Sequence, residues 1–344
     1  MLIMSKEAKI ATFNPNEPAL NDHLFGLPFD EDECEIHVLP APWEVTVSYG
    51  SGTAQGPEEI RAESAQVDLF DEKFPESWQR GIWMHEVDEG WAAKSDQLRE
   101  KAEKYLEAYE REEVDTAELK LLDEINDKCG HFHRWIEKKS DTILAQDKRL
   151  ILLGGDHSTS LGALRASKKK FGTFGVLQID AHADLRPAYE GFEFSHASIM
   201  FNALQEELAE SLTIVGLRDF CHQEAEMIQS EHNIHAFTDK AMNQALFAGQ
   251  TWTQVCRNIV NTLPDNVYLS VDIDGLDPSL CPNTGTPVPG GLSLSQFLFL
   301  IDAVVESGRR FIGADLVEVS PGNDTWDANV GARVLYAISH RLSS

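Results

Sequence analysis

The chain is short of cysteine, of positive charge and of long apolar runs. Its five cysteines (Cys34, Cys129, Cys221, Cys256 and Cys281) are odd in number and never spaced as CxxC. That sparsity excludes a disulfide scaffold and a thiolate zinc site, and it points to a reducing compartment. Lys and Arg number 29 against 57 Asp and Glu, which leaves a net charge of −28. The densest basic run is Lys168-Lys169-Lys170. Phosphate would be repelled by such a chain, so nucleic acid and anionic membrane surfaces are excluded as default partners. No segment approaches the ~18 uninterrupted apolar residues of a membrane span; the late run Phe297 to Val305 is broken by Asp302. Met1 to Ile10 carries Lys6, Glu7 and Lys9, too polar for a signal peptide. A soluble, cytoplasmic protein is expected.

Apolar residues make up 42% of the 344, enough for a sizeable core. After a first 30 residues that read as irregular, short β-type runs alternate with helical patterns. Strands are predicted at 36–39, 81–87, 150–153, 174–179, 212–217, 267–273 and 311–319, with helices such as 161–169 and 293–306 between them. Nearly continuous apolar strands alternating with helices predict an α/β fold with a parallel sheet covered on both faces. Between Glu86 and Asp127 there are 15 acids and 6 bases. Leu98, Ala102, Tyr105, Leu106 and Tyr109 follow the spacing of one helix face there, so 88–140 reads as an acidic helical insertion with a solvated face. No interdomain linker is evident, and residues 1–344 are read as one domain.

Three apolar strands end in polar residues, at the sheet edge where open α/β sheets bind ligands. The first leads into Gly154-Gly155-Asp156-His157-Ser158. Two glycines allow a sharp turn, but His157 taken alone is as compatible with structure as with a site. The second ends in Asp180-Ala-His182-Ala-Asp184, three ionisable groups at i, i+2 and i+4. Extended backbone turns these to one face, which is costly without a cation. The third ends in Asp272-Ile-Asp274-Gly-Leu-Asp277-Pro278. Asp272 and Asp274 again share a face, while Asp277 reads as a turn residue. Together these supply two His and four Asp, a nitrogen and oxygen donor set suited to Mn²⁺ or a similar divalent ion. Six ligands exceed the need of one open catalytic ion and favour a two-metal site.

The combination of GGDHS, DAHAD and SVDIDGLDP resembles the ureohydrolase family of arginases and agmatinases, over roughly Leu39 to Ile338. The resemblance implies a three-layer α/β/α fold with a central, mostly parallel sheet, and two Mn²⁺ per chain. His157 and Asp184 would hold one ion, His182 and Asp274 the other, with Asp180 and Asp272 bridging. It further implies hydrolysis of a guanidinium to urea and an amine, and assembly into trimers or hexamers. Phe194-Ser195-His196-Ala197 resembles the family segment with a proton-shuttle histidine, here His196. Asp315-Leu-Val-Glu318 resembles the strand whose glutamate, here Glu318, faces the guanidinium.

Within the family the loop Asp184-Leu-Arg186-Pro187-Ala-Tyr189-Glu190-Gly191 is most similar to the agmatinase branch, as is the stretch Pro42 to Pro57. Arg186, Tyr189 and Glu190 are therefore candidate substrate contacts, with Glu190 or Glu193 supplying an acidic entrance for a cationic substrate. Arg186 could instead pair with a neighbouring acid or bind a substrate carboxylate, and Pro187 departs from the acidic residue expected there. Agmatine is the expected substrate and putrescine the product. Arginine, guanidinobutyrate, aminopropylagmatine and guanidine are alternatives, and a single-zinc deacylase or a non-catalytic relative is more remote.

Overall fold

Leucine- and valine-rich runs with few charges form strands that can be buried on both sides, and eight such strands make one sheet. The computed structural model describes residues 4–19 and 21–343. The strands are β1 (Ile36–Ala41), β2 (Ile82–Met84), β3 (Arg149–Gly154), β4 (Gly175–Ile179), β5 (Ser211–Leu217), β6 (Ile234–Thr238), β7 (Asn266–Asp272) and β8 (Arg310–Val317). Their order is β2-β1-β3-β8-β7-β4-β5-β6, and every neighbouring pair runs parallel.

Alternation along each strand divides the core in two. Ile151, Leu153, Leu177, Ile179, Leu269, Val271, Ala314 and Leu316 face one helical layer. Leu150, Leu152, Val176, Leu212, Ile214, Tyr268 and Ile312 face the other. The fold is thus the expected three-layer α/β/α arrangement around a parallel sheet. Among the described residues no helix is long and apolar enough to cross a membrane.

Local differences from the sequence reading have physical causes. The first 30 residues are not wholly irregular: Lys6–Thr12 is a helix capped by the Ser5 side chain. Lys6 ties it down by donating to the Glu33 and Arg80 carbonyls. Strand 81–87 shrinks to Ile82–Met84, which pairs β1 through three residues at the sheet edge. The opposite edge strand, β6, has only its first residue buried; its sequence, Ile-His-Ala-Phe-Thr, lacks the apolar signal of a central strand.

The acidic insertion is an antiparallel pair of helices, Glu89–Glu110 and Thr116–Ala145. Glu112 turns between them with φ +56°, and Asp115 starts the second with a capping box completed by Glu118. Leu98, Ala102, Tyr105 and Leu106 are buried as predicted, whereas Tyr109 is 46% exposed. The second helix also pairs with the basic run: Lys169 bonds Glu137 and Asp141, and Lys170 bonds Asp147 just beyond the helix end.

Phe132 locks this helical pair to the sheet layer. It is fully buried and stacks on Trp43 with ring centroids 4.3 Å apart. Phe132→Ala should therefore cost ~3–5 kcal/mol, read as a lower urea midpoint at constant slope; a loss under about 1 kcal/mol would show that the contact is not part of the core.

Candidate metal centre

The centre of the sheet brings distant motifs side by side, because β3, β8, β7 and β4 are neighbours. His157 follows β3, Asp180 to Asp184 follow β4, Asp272 ends β7 and Glu318 follows β8. Two glycines are demanded by close approach. A Cβ on Gly155 would lie 2.0 Å from the Trp43 carbonyl oxygen, and one on Gly275 would lie 2.5 Å from the Asp180 nitrogen. Asp184 and Glu318 hold left-handed backbone, at φ +55° and +62°. For residues other than glycine this stores ~1–3 kcal/mol that the surrounding structure must offset.

Backbone and side-chain donors aim the carboxylates. Asp272 Oδ1 accepts from the Asp274 nitrogen at 2.9 Å, and Asp274 Oδ1 accepts from the Ala181 nitrogen at 3.0 Å. Their Oδ2 atoms turn toward the histidines: Asp274 Oδ2 is 3.0 Å from His182 Nδ1, and Asp272 Oδ2 is 3.5 Å from His157 Nδ1. Asp184 Oδ2 is 2.9 Å from His157 Nδ1. Asp180 is shared, with Oδ2 3.2 Å from His157 Nδ1 and Oδ1 3.7 Å from His182 Nδ1. Its orientation is fixed by the His182 nitrogen at 2.6 Å and by Gln178 Nε2 at 2.7 Å. Two ligand triads result, His157-Asp180-Asp272 and Asp180-His182-Asp274, each with donor atoms within 4.8 Å of one another. Asp184 joins the first through His157.

The tautomer of His157 follows from the next shell. Ser270 Oγ donates to Asp315 Oδ1 at 2.8 Å, so it accepts from His157 Nε2 at 2.9 Å. Nε2 then carries the proton, and the Nδ1 lone pair faces three carboxylates. That atom has no hydrogen-bond partner of good geometry. A lone pair surrounded by carboxylate oxygens is repulsive unless a cation sits among them, so this donor set fits a pair of divalent ions.

The titration behaviour of the bare cluster says the same. Burial opposes charge on His157, but Asp180, Asp184 and Asp272 outweigh it and hold its pKa well above the usual value. Burial likewise opposes charge on His182, and Asp274 and Asp180 raise it to about 12. Burial and then Asp180 push Asp184 up to about 7. Burial, Asp274 and Asp180 push Asp272 well up. Without cations, protons take their place on groups that metal ligation needs deprotonated.

A cleft opens over this centre, lined by Ser48, His182, Asp184, Arg186, Tyr189, His196, Ala197, Asp219, Glu224 and Thr286. His196, Arg186 and Tyr189 thus line this cleft. Arg186 resolves toward pairing: its Nε is 3.8 Å from Glu224 Oε2, and its guanidinium lies over the Tyr189 ring at 4.6 Å. Glu318 is buried beside the cluster: its Oε1 accepts from the His157 nitrogen at 2.9 Å, and a Cβ on Gly285 would lie 3.3 Å from its Oε2. Glu190 is not among the residues lining this cleft; burial, then Glu110, raises its pKa, and Arg186 and Arg99 oppose the rise. Glu193 is exposed and its nitrogen donates to Asn126 Oδ1 at 3.0 Å. Asp277 shapes a turn as expected, accepting from the Ser279 nitrogen at 2.9 Å.

Sequence reasoning missed Asp219 and Glu224, which follow β5, and the Ser270–Asp315 relay. Asp219 lies two residues beyond Leu217, so the strand-end rule applied to β5 would have found it. Glu224 is 97% hidden as the N3 residue of a short helix, accepting from the Cys221 nitrogen at 2.8 Å and the Leu185 nitrogen at 3.2 Å. No local signal marks such a residue as part of a site.

Residues 34–340 match the model of the arginase family. The chain is 32% identical to a guanidinobutyrase of Pseudomonas aeruginosa over 332 residues, covering 91% of this chain and 89% of that one. It is 30% identical to an agmatinase of Proteus mirabilis, covering 94% of each. It is 29% identical to an N(1)-aminopropylagmatine ureohydrolase of Thermus thermophilus, covering 89% of each. The solved agmatine ureohydrolase of Thermoplasma volcanium shares the fold with a TM-score of 0.67 at 20% identity, over 96% of both chains.

The relay predicts a graded outcome. Ser270→Ala frees the His157 tautomer and should weaken divalent-metal binding about 10–100-fold. Asp272→Ala should lose at least one ion per chain after dialysis. Elemental analysis checks both, and an Asp272→Ala protein that still holds two ions would contradict the ligand assignment.

Proposed function

The chain belongs to the arginase family, and we propose that it is a manganese-dependent agmatinase that converts agmatine to urea and putrescine. The family reaction is a binuclear metal-dependent ureohydrolysis. The observation that carries this reading is Asp180, one carboxylate shared between two histidine–aspartate triads. Manganese fits the donor set, which is all imidazole and carboxylate with no thiolate. When bound, the two ions would supply an activated water and a Lewis acid.

The protein's own groups do the rest. His196 lines the cleft, 3.4 Å from Ser195 Oγ through Nδ1, which leaves Nε2 to exchange a proton with the substrate. Burial holds the pKa of His196 below the usual value. It is therefore neutral at pH 7, able to take up a proton and return it to the departing amine. Asp219, 69% exposed on the cleft wall, offers a carboxylate to the ammonium end of agmatine. Glu224 neutralises Arg186 and so removes a cation that would repel it. Glu318, buried against the backbone of His157, is the carboxylate that would receive the guanidinium.

Arg186 favours a second reading, a guanidino acid whose carboxylate displaces Glu224. The 32% identity to a guanidinobutyrase is in keeping with it. Urea release in Mn²⁺ buffer from agmatine, arginine, 4-guanidinobutyrate, aminopropylagmatine and guanidine decides between them. Agmatine should have the highest kcat/KM. Asp219→Asn should raise its KM about two- to fivefold, the worth of an exposed ion pair of ~0.5–1 kcal/mol. Preference for 4-guanidinobutyrate, abolished in Arg186→Ala, would overturn the agmatine assignment. His196→Asn should lower kcat about 10²–10⁴-fold with KM little changed.

A further inference from the structure

A third cluster of metal-ligating side chains lies away from the catalytic cleft. His37 sits on β1, His85 directly follows β2, and Glu31 begins the short turn Glu31–Glu33 that precedes β1. Their ligand atoms lie within 4.8 Å of one another. The neighbouring cavity is lined by Glu31, His85, Glu86, Asp88, Trp135 and Lys139 among others, and it shares no wall with the catalytic cleft.

The two imidazoles face each other, His37 Nδ1 to His85 Nε2 at 3.0 Å. A simple hydrogen bond between them is poorly served on either side. If His37 donates, its Nε2 becomes a lone pair sealed from water with no donor. If His85 donates, its Nδ1 lone pair faces Glu31 Oε1 at 4.0 Å. A divalent cation held by His37 Nδ1 and His85 Nε2 removes the second conflict, because His85 Nδ1 then carries its proton. The remaining protons then sit on His85 Nδ1, toward Glu31, and on His37 Nε2.

We propose that Glu31, His37 and His85 form a second, non-catalytic metal site for a zinc-class divalent cation. Two imidazoles and one carboxylate are a zinc donor set, with water completing a tetrahedron. Half of the Glu31 side chain is exposed, so it can close on an ion entering from solvent. The acids around the mouth are otherwise engaged: Glu86 pairs with Arg61 at 3.2 Å, and Asp88 caps a helix at the Trp91 nitrogen. Two cations oppose the ion. Lys139 lies over Trp135, 5.9 Å from the ring centroid, and Lys148 donates to the Asp32 and Cys34 carbonyls. Both are thereby drawn to other partners. An ion here would clip the three-residue edge strand β2 to β1 and to the turn before it.

The test loads the native protein, His85→Gln and Glu31→Gln with Mn²⁺, equilibrates each with Zn²⁺ in Mn²⁺ buffer, desalts, and counts both metals. The native protein should hold one more Zn²⁺ per chain than His85→Gln, with the Mn²⁺ count unchanged, and its Tm should rise with Zn²⁺ while that of His85→Gln does not. Glu31→Gln, which alters only an exposed side chain, should bind that Zn²⁺ at least about tenfold more weakly. Zn²⁺ gained only at the expense of Mn²⁺, no Zn²⁺ gained, or an equal Zn²⁺ count in His85→Gln would overturn the proposal.

Discussion

Four aspartates crowded at the end of a buried sheet repel one another, and much of this structure answers that repulsion. Asp180, Asp184, Asp272 and Asp274 are each at least 95% hidden from solvent. Burial and mutual charge push Asp184 and Asp272 toward their protonated forms. The histidines answer part of this, since the carboxylates raise the pKa of His157 and His182. Divalent ions relieve it better, because they return the imidazoles to their neutral, ligating state. The backbone donors that hold one oxygen of Asp272 and one of Asp274 leave the other oxygen aimed inward. The cluster is thus repulsive without cations, and backbone donors fix where its oxygens point.

Preorganisation of this kind requires a rigid frame, and the sheet order supplies it. The crossovers place β3, β8, β7 and β4 side by side, so motifs far apart in sequence end at one edge. The Ser270–Asp315 relay exists only because β7 and β8 pair with Ser270 opposite Asp315. The acidic helical pair has a related task. Asn126 donates to the Gly191 carbonyl at 3.2 Å and accepts from the Glu193 nitrogen, and Tyr105 packs edge-on to Phe192. The segment read as an acidic helical insertion with a solvated face also braces the loop carrying Arg186 and Tyr189.

Legibility followed how local each signal was. His157, Asp180, His182, Asp184, Asp272 and Asp274 could be read because each belongs to a dense motif at a strand end. The parallel sheet could be read because its central strands are apolar throughout. Glu224 and the Ser270–Asp315 relay could not, since their roles arise from contacts between elements distant in sequence. Glu190, at φ +54°, does not line the cleft although its sequence neighbours Arg186 and Tyr189 do. The edge strand β6 and the helix Lys6–Thr12 escaped because exposed elements need no apolar pattern.

The shared Asp180 carboxylate is the central claim, and electron paramagnetic resonance of the Mn²⁺-loaded protein tests it most directly. Two ions bridged at about 3.5–4 Å should give the multiline spectrum of an exchange-coupled pair, lost when Asp180 is replaced by Asn. A spectrum of isolated, six-line Mn²⁺ at full occupancy of both sites would contradict the account.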